Sequence, residues 1–260
     1  MSSEKVPQTI LAVANQKGGV AKTTSVASLG AALVEQGRRV LLVDLDPQAC
    51  LTFALGHDPE DVEVSVHQVL LGSVGAGDAV IATAEGADLL PATIELAAAE
   101  QLLLTRNGRE QLLKAALAPL RKRYDVVLLD CPPSLGILTT LALTAAQGVV
   151  IPLQCETLSH RGVGQLLDTV HDVRRVTNRR LKVIGVLPTL FDARSSHAHL
   201  VLERIGTDYG VEVLSPVIPK SVRFAEAPAA GRSVLSSARS SKGAEAYRQL
   251  ARNLLAGPLL

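Results

Sequence analysis

Residues 15–24 read Asn-Gln-Lys-Gly-Gly-Val-Ala-Lys-Thr-Thr, with a short apolar run before them and a helical pattern after. The run at 9–14 (TILAVA) has the length and β-branched content of a buried strand, and 25–34 repeats small and apolar residues at helical spacing. A loop joining a strand to a helix aims backbone N–H groups and the positive end of the helix dipole at one point, where polyphosphate can bind. In such a loop Lys22 reaches the β- and γ-phosphates and the Thr23 hydroxyl ligates Mg²⁺. Out of this context the same residues describe no more than a glycine turn with two solvated lysines. The order strand, loop, helix is what makes them a phosphate cradle.

The rest of the chain reads as the sheet that such a cradle needs. Apolar runs of strand length fall at 9–15, 39–45, 88–91, 124–130, 148–153, 182–188 and 213–218. Helical patterns fall between them at 23–36, 95–105, 108–122, 137–146, 160–176, 196–208 and 241–255. This alternation predicts an α/β fold: a single doubly wound, mostly parallel sheet with helices on both faces. Residues 56–87 carry the weakest pattern and are expected to form a surface excursion with one short helix. One domain is expected over 1–260, with a short arm at 1–8 and a tail at 256–260.

Composition narrows the classes. At 260 residues and 47% hydrophobic, the chain can bury a sizeable core. No apolar run approaches the ~20 residues that span a bilayer, and the first residues lack a signal-peptide pattern, which points to the cytoplasm. Cys50, Cys131 and Cys155 show no metal-binding spacing and read as reduced, mostly buried thiols. The formal net charge is only +1, so nucleic-acid binding would need a local patch. An aromatic content of 2% argues against stacking platforms for single strands.

The ordinary phosphate-loop pattern G-x-x-x-x-G-K-[ST] fails here, because its glycine positions hold Gln16 and Ala21. The sequence instead fits K-G-G-x-x-K-[ST], and so resembles the deviant Walker A motif of the ParA/MinD group of ATPases. The resemblance implies that Lys17, Gly18, Gly19, Val20, Ala21, Lys22, Thr23 and Thr24 hold the nucleotide. It also implies that Lys17 crosses a dimer interface to phosphates bound by the partner subunit.

Further segments are similar to the same family. Asp44-Leu45-Asp46-Pro47-Gln48 follows the second strand and resembles D-x-D-P-Q, which implies that Asp44 positions the attacking water and Asp46 makes structural hydrogen bonds. The run 125–130 (DVVLLD), followed by Cys131-Pro132-Pro133, has the shape of a Walker B strand, with Asp130 holding Mg²⁺ through water. Pro152-Leu153-Gln154-Cys155-Glu156 is similar to P-x-Q-x-E beside the nucleotide. The family's next acidic residue is missing, so residues 157–161 take no role and His160 reads as a surface histidine at a helix start. The segments 185–194 and 216–228 resemble the strand and loop near the base, which implies base-edge contacts from Pro188, Thr189 and Pro219. Lys220 stands where arginine is more usual.

The resemblance to ParA/Soj members covers nearly the whole chain. It implies an ATP- and Mg²⁺-dependent homodimer that binds double-stranded DNA without sequence preference. It implies release on hydrolysis stimulated by a ParB-like activator protein, slow turnover without that partner, and a nucleoid-associated, cytoplasmic protein with no membrane partner. From 215 to 252, Lys220, Arg223, Arg232, Arg239, Lys242, Arg248 and Arg252 face Glu226 and Glu245, an excess of five positive charges. Phosphate neutralisation by such residues is sequence-blind and salt-dependent. Lys220 and Arg223 are the DNA-contact candidates. Arg174, Arg175, Arg179, Arg180 and Lys182 form a second basic group at a helix end. Two alternatives share the loop. A MinD-like ATPase would end in a basic amphipathic helix for anionic lipid, whereas this chain ends in a Gly-Pro break without late lysines. An electron-transferring iron protein would need cluster cysteines at positions these three do not occupy.

Overall fold

Alternate residues of the first strand enter opposite cores. Ile10, Ala12 and Ala14 pack on one face of the sheet, Leu11 and Val13 on the other. A strand buried on both faces has no polar side, which is why the parallel strands read as continuous apolar runs. The structure is a computed structural model that describes residues 8–156 and 159–257, without the side chains of 159 and 160. Most of the expected N-terminal arm, the end of the tail, residues 157–158 and the His160 side chain lie outside the described residues.

Seven strands form one sheet in the order β3-β4-β2-β5-β1-β6-β7. They are β1 (Thr9–Val13), β2 (Val40–Asp44), β3 (Ile81–Ala82), β4 (Asp88–Leu90), β5 (Val126–Asp130), β6 (Gly148–Gln154) and β7 (Lys182–Thr189). All neighbours are parallel except β3, which runs antiparallel on β4. From β1 the chain crosses to β2 on one side, and from β5 it crosses to β6 on the other. The carboxyl ends of the central strands therefore lie at a topological switch point, where a crevice opens in sheets of this kind.

The helices are α1 (Lys22–Glu35), α2 (Cys50–Ala54), α3 (Val66–Leu71), α4 (Glu95–Leu103), α5 (Leu112–Leu117), α6 (Ile137–Ala145), α7 (Ser159–Val176), α8 (Ser196–Tyr209), α9 (Arg223–Ala229), α10 (Val234–Ser237) and α11 (Lys242–Ala256). α1 lies close on the sheet: a Cβ at Gly30 would come within 2.7 Å of the Leu42 side chain. α11 packs on α1, where the buried Tyr247 hydroxyl meets Ser25 Oγ at 2.9 Å.

Three expectations about elements need correction. Residues 213–218 do not form a strand; Val213 makes a single bridge to Val186, because Pro216 and Pro219 lack ladder donors. The helix expected over 108–122 is reduced to α5 between two 3₁₀ turns, the second running Ala118–Lys122 with Pro119 in its first turn. The excursion at 56–87 contains the expected short helix, α3, and also the unforeseen strand β3. α2, α9 and α10 were not anticipated either; at four to seven residues they are too short for a readable period.

Candidate nucleotide site at the carboxyl ends of the strands

The loop after β1 turns on two left-handed residues, Gly19 at φ 74° and Ala21 at φ 61°. Ala21 occupies this conformation at the position where the ordinary motif has glycine, and it N-caps α1 without a side-chain hydrogen bond. The open α1 terminus presents its N–H groups to whatever lies above. A Cβ at Gly18 or Gly19 would meet no atom within 4 Å. These glycines, with Lys22, Thr23 and Thr24, line a crevice of about 770 Å³. Its opposite wall comes from Phe53 of α2, Leu190 after β7, and Phe224 and Arg232 near α9.

Two lysines serve this loop. Lys22 is buried and its Nζ donates to the Lys17 carbonyl at 3.1 Å. Burial pushes its ammonium below the usual lysine range, with Asp130 pulling the other way. The Lys17 backbone is fixed by Asn15, whose Oδ1 accepts Lys17 N–H at 3.1 Å and whose amide donates to Pro152 O at 2.7 Å. The half-exposed Lys17 ammonium pairs with Glu156 of the same chain. The resemblance placed Glu156 beside the nucleotide; its pairing with the signature lysine had no signal in the sequence.

Asp44 and Asp130 end the adjacent strands β2 and β5 in direct register, and both are fully buried. Asp44 is held by three donors. Its Oδ1 accepts Asp46 N–H at 3.1 Å, and its Oδ2 accepts Thr52 N–H at 2.9 Å and the Thr52 hydroxyl at 2.8 Å. Burial raises its pKa to about 6 against the pull of these hydrogen bonds. Asp130 differs: neither carboxylate oxygen has a hydrogen-bond partner. Burial first and the Asp44 charge second raise it well above the carboxylate range, while the neighbouring Thr23 hydroxyl and Lys22 oppose the shift.

An orphaned, buried carboxylate beside a threonine hydroxyl suits a hard divalent cation. Among the described residues there is no cluster of three or more His, Cys, Asp or Glu able to hold a metal alone. A cation here would complete its shell with water and with the oxygens of a phosphate ligand, the usual arrangement for Mg²⁺.

The base-edge candidates sit close by without lining the crevice. Thr189 is fully buried and its hydroxyl donates to Val20 O at 2.9 Å, tying the end of β7 to the phosphate loop. Pro188 O accepts Ile218 N–H, and Pro219 is bridged to Phe191. Leu190 and Ser221, which the sequence did not single out, line the crevice in their neighbourhood. Lys220 is exposed, but Arg223 pairs with Glu226 at 2.8 Å. Arg248 clamps Glu35 at 2.6 Å and Arg252 pairs with Glu245 at 2.8 Å. Glu226 and Glu245 are already in the count over 215–252, so of these pairs only Arg248 with Glu35 lowers its excess charge.

With this geometry in place, the comparisons with known proteins are decisive. The family described as AAA domain matches residues 8–183. The sporulation initiation inhibitor protein Soj of Bacillus subtilis is 45% identical over 248 residues, covering 95% of this chain and 98% of Soj. The chain belongs to the ParA/Soj family of ATPases. The chromosome partitioning protein ParA of Caulobacter vibrioides, another relative, is 40% identical over 252 residues, covering 96% of this chain and 94% of that one. A solved structure of a Mycobacterium smegmatis protein named cobyrinic acid a,c-diamide synthase, with an ATP analogue and magnesium bound, is 57% identical. Its TM-score is 0.86, over 95% of this ParA/Soj-family chain and 94% of that one.

Proposed function

We propose that this ParA/Soj-family chain is a partitioning ATPase that forms an ATP sandwich dimer, holds duplex DNA without sequence preference, and lets go on hydrolysis stimulated by a ParB-like partner. What carries the reading is the pairing of a two-lysine phosphate loop with a buried carboxylate, Asp130, that makes no well-formed hydrogen bond and has the Thr23 hydroxyl beside it.

ATP lies over Gly18 to Thr24, with Lys22 on the β- and γ-phosphates. Thr23, and Asp130 through water, would hold Mg²⁺, which when bound would offset the negative charge of the phosphates. Lys17 leaves Glu156 and reaches the phosphates of the partner subunit. The water that attacks the γ-phosphate in line is placed by Asp46, which lines the crevice. Asp44, expected from the sequence to place it, is fully buried with both oxygens hydrogen-bonded. The protein's share of catalysis is positioning and electrostatics.

Lys220 and Arg223 contribute to the DNA surface, Arg223 by exchanging Glu226 for phosphate. A MinD-like lipid helix is disfavoured, since α11 already buries Ala244, Tyr247, Leu250 and Ala251 inside the fold. No helix among the described residues is long and apolar enough to cross a membrane. The name of the M. smegmatis protein raises an amide-forming reading, in which a reactive thiolate could release ammonia from an amide donor. Here burial raises the thiols of Cys131 and Cys155 above their ordinary range, and partial desolvation with the charges of Asp46, Asp44 and Asp130 raises that of the exposed Cys50, which is the opposite of activation.

The test is binding to random-sequence duplex DNA with Mg-ADP and with Mg-ATP across a salt series, with anionic liposomes in parallel. ATP-dependent, salt-steep DNA binding that weakens about tenfold in Lys220→Ala/Arg223→Ala supports the proposal. ATP-dependent binding to liposomes, with none to DNA, overturns it.

A further inference from the structure

Taking the crevice over the phosphate loop as the ATP site, we propose that Glu85 is a positioning residue for the nucleoside. From the turn between β3 and β4 it fixes the apolar wall against which the base lies. With the phosphates on Gly18 to Thr24, the apolar remainder of the crevice is left for the nucleoside. Phe53, Ala54, Phe224 and Pro228 line that part, a surface suited to the flat face of a base.

Most of the wall belongs to the segment 221–234, whose helices are too short to hold themselves in place. α9 contains Pro228, and the chain then turns through Gly231 at φ 63° into the four-residue α10. One end of the segment is fixed by α11. The Phe224 ring meets Tyr247 edge-on at 6.1 Å, and a Cβ at Gly243 would fall 2.5 Å from Phe224.

The other end is held by the excursion at 56–87. Glu85 accepts the Ser233 N–H at 3.0 Å through one oxygen. Its other oxygen accepts the hydroxyls of Ser233 at 2.6 Å and Ser236 at 2.9 Å. Ser233 is buried and itself lines the crevice, between Arg232 and Val234. The Glu85 backbone is set by Thr83, whose hydroxyl oxygen accepts Glu85 N–H at 3.3 Å and donates to Ala87 O at 2.6 Å. Two residues before Ser233, Gly231 crosses Gly56 so closely that a Cβ on Gly231 would lie 2.8 Å from Gly56 Cα. The three groups that donate to Glu85 are uncharged, so the contact is a directional clasp rather than a charge pair. A wall fixed before the ligand arrives spares the ligand the cost of ordering it.

The test is calorimetric titration of Glu85→Ala, Glu85→Gln and the double variant Ser233→Ala/Ser236→Ala with Mg-ADP and with Mg-tripolyphosphate, which has no nucleoside. Melting curves show which variants fold. The serine pair removes two of the three donors and serves should Glu85→Ala fail to fold. The expected result is an Mg-ADP affinity about tenfold lower in Glu85→Ala and in the serine pair, with tripolyphosphate affinity unchanged. Glu85→Gln, which keeps an acceptor for Ser233 N–H, recovers most of the loss. In steady-state turnover KM for ATP rises, while kcat at saturation stays within about twofold. Wild-type Mg-ADP affinity in a folded Glu85→Ala, or equal losses for ADP and tripolyphosphate, overturns the proposal. A loss confined to kcat overturns it as well. Failure of the unaltered protein to bind Mg-ADP overturns the nucleotide reading itself, and this proposal with it.

Discussion

Strand β5 is preceded by one aspartate and ended by another, and the fold treats the two in opposite ways. Asp125, at the amino end, is clamped by Arg39. Its two oxygens accept Arg39 Nη2 at 2.6 Å, Nε at 3.1 Å and backbone N–H at 2.9 Å. These bonds hold its carboxyl below the usual range. Asp130, at the carboxyl end, is buried with neither oxygen in a well-formed hydrogen bond, only the Thr23 hydroxyl and Lys22 nearby, and is pushed the other way. The contrast is not uniform along the sheet, since Asp44 at the carboxyl end of β2 accepts three hydrogen bonds. At the amino ends, Tyr124 OH donates to Asp88 at 2.6 Å, and Gln147 Oε1 accepts Ile10 N–H at 2.6 Å. At the carboxyl ends stand Asp130, a desolvated Lys22, and Lys17 on a half-exposed pair that solvent screens. The amino ends show what this fold does with polar groups that serve stability. At the carboxyl ends Asp130 is the group whose hydrogen bonds are missing, and a ligand would supply them.

The comparison breaks first at Lys22. Lys22→Ala should weaken Mg-ADP and Mg-ATP binding by about a hundredfold or more, since the lost contact is a charge-assisted one in a dry site. Calorimetric titration checks this. Retained affinity would mean that the carboxyl-end lysine is no more a ligand group than Arg39. The amino end supplies the converse. Asp125→Asn should lower the melting midpoint while leaving ATP turnover within about twofold, because the site lies at the other end of the strand.

The pH dependence sharpens the contrast, because the two ends titrate with opposite sign. Asp44 keeps its proton up to about 6 in the folded protein, against the ordinary carboxylate range when unfolded. The folded state therefore binds the extra proton between about pH 4 and pH 6, and this group makes ligand-free stability fall as pH rises through that window. The size is up to about 3 kcal/mol, and Asp130 acts in the same direction. Asp125, held low, acts oppositely: its contribution is present above the ordinary range and is lost in more acid solution. Melting in EDTA at pH 5 and pH 7 should show a smaller drop for Asp44→Asn than for wild type. An unchanged difference would remove Asp44 as its source.

Much of this architecture was legible in the chain. The strands that hold the site are buried on both faces, so each appears as an apolar run ending at a chemical residue: Val13 before the loop, then Asp44, then Asp130. What stayed hidden depends on tertiary approach or on elements too short for a period. Thr52 reaches Asp44 from a five-residue helix, and Glu156 meets Lys17 across 139 positions. α3 did leave a signal, since Ser65 and Gln68 form a capping box that the weak pattern around them obscured. The strand expected at 213–218 failed for a reason also written in the sequence, Pro216 within it and Pro219 just after it. Charge counting overstated the basic patch because Arg248 is spent on Glu35, which lies outside the counted segment.

The most direct test of the contrast is thermal melting of wild type and Asp130→Asn, each ligand-free in EDTA, with ADP in EDTA, and with Mg-ADP. Removing an unpaired buried charge should leave ligand-free Asp130→Asn at least as stable as wild type. Wild type should gain a clear increment from Mg²⁺ over ADP alone, and Asp130→Asn should gain little. A ligand-free variant that melts well below wild type, or one that keeps the full Mg²⁺ increment, would contradict the account that this carboxylate is held unpaired for the metal.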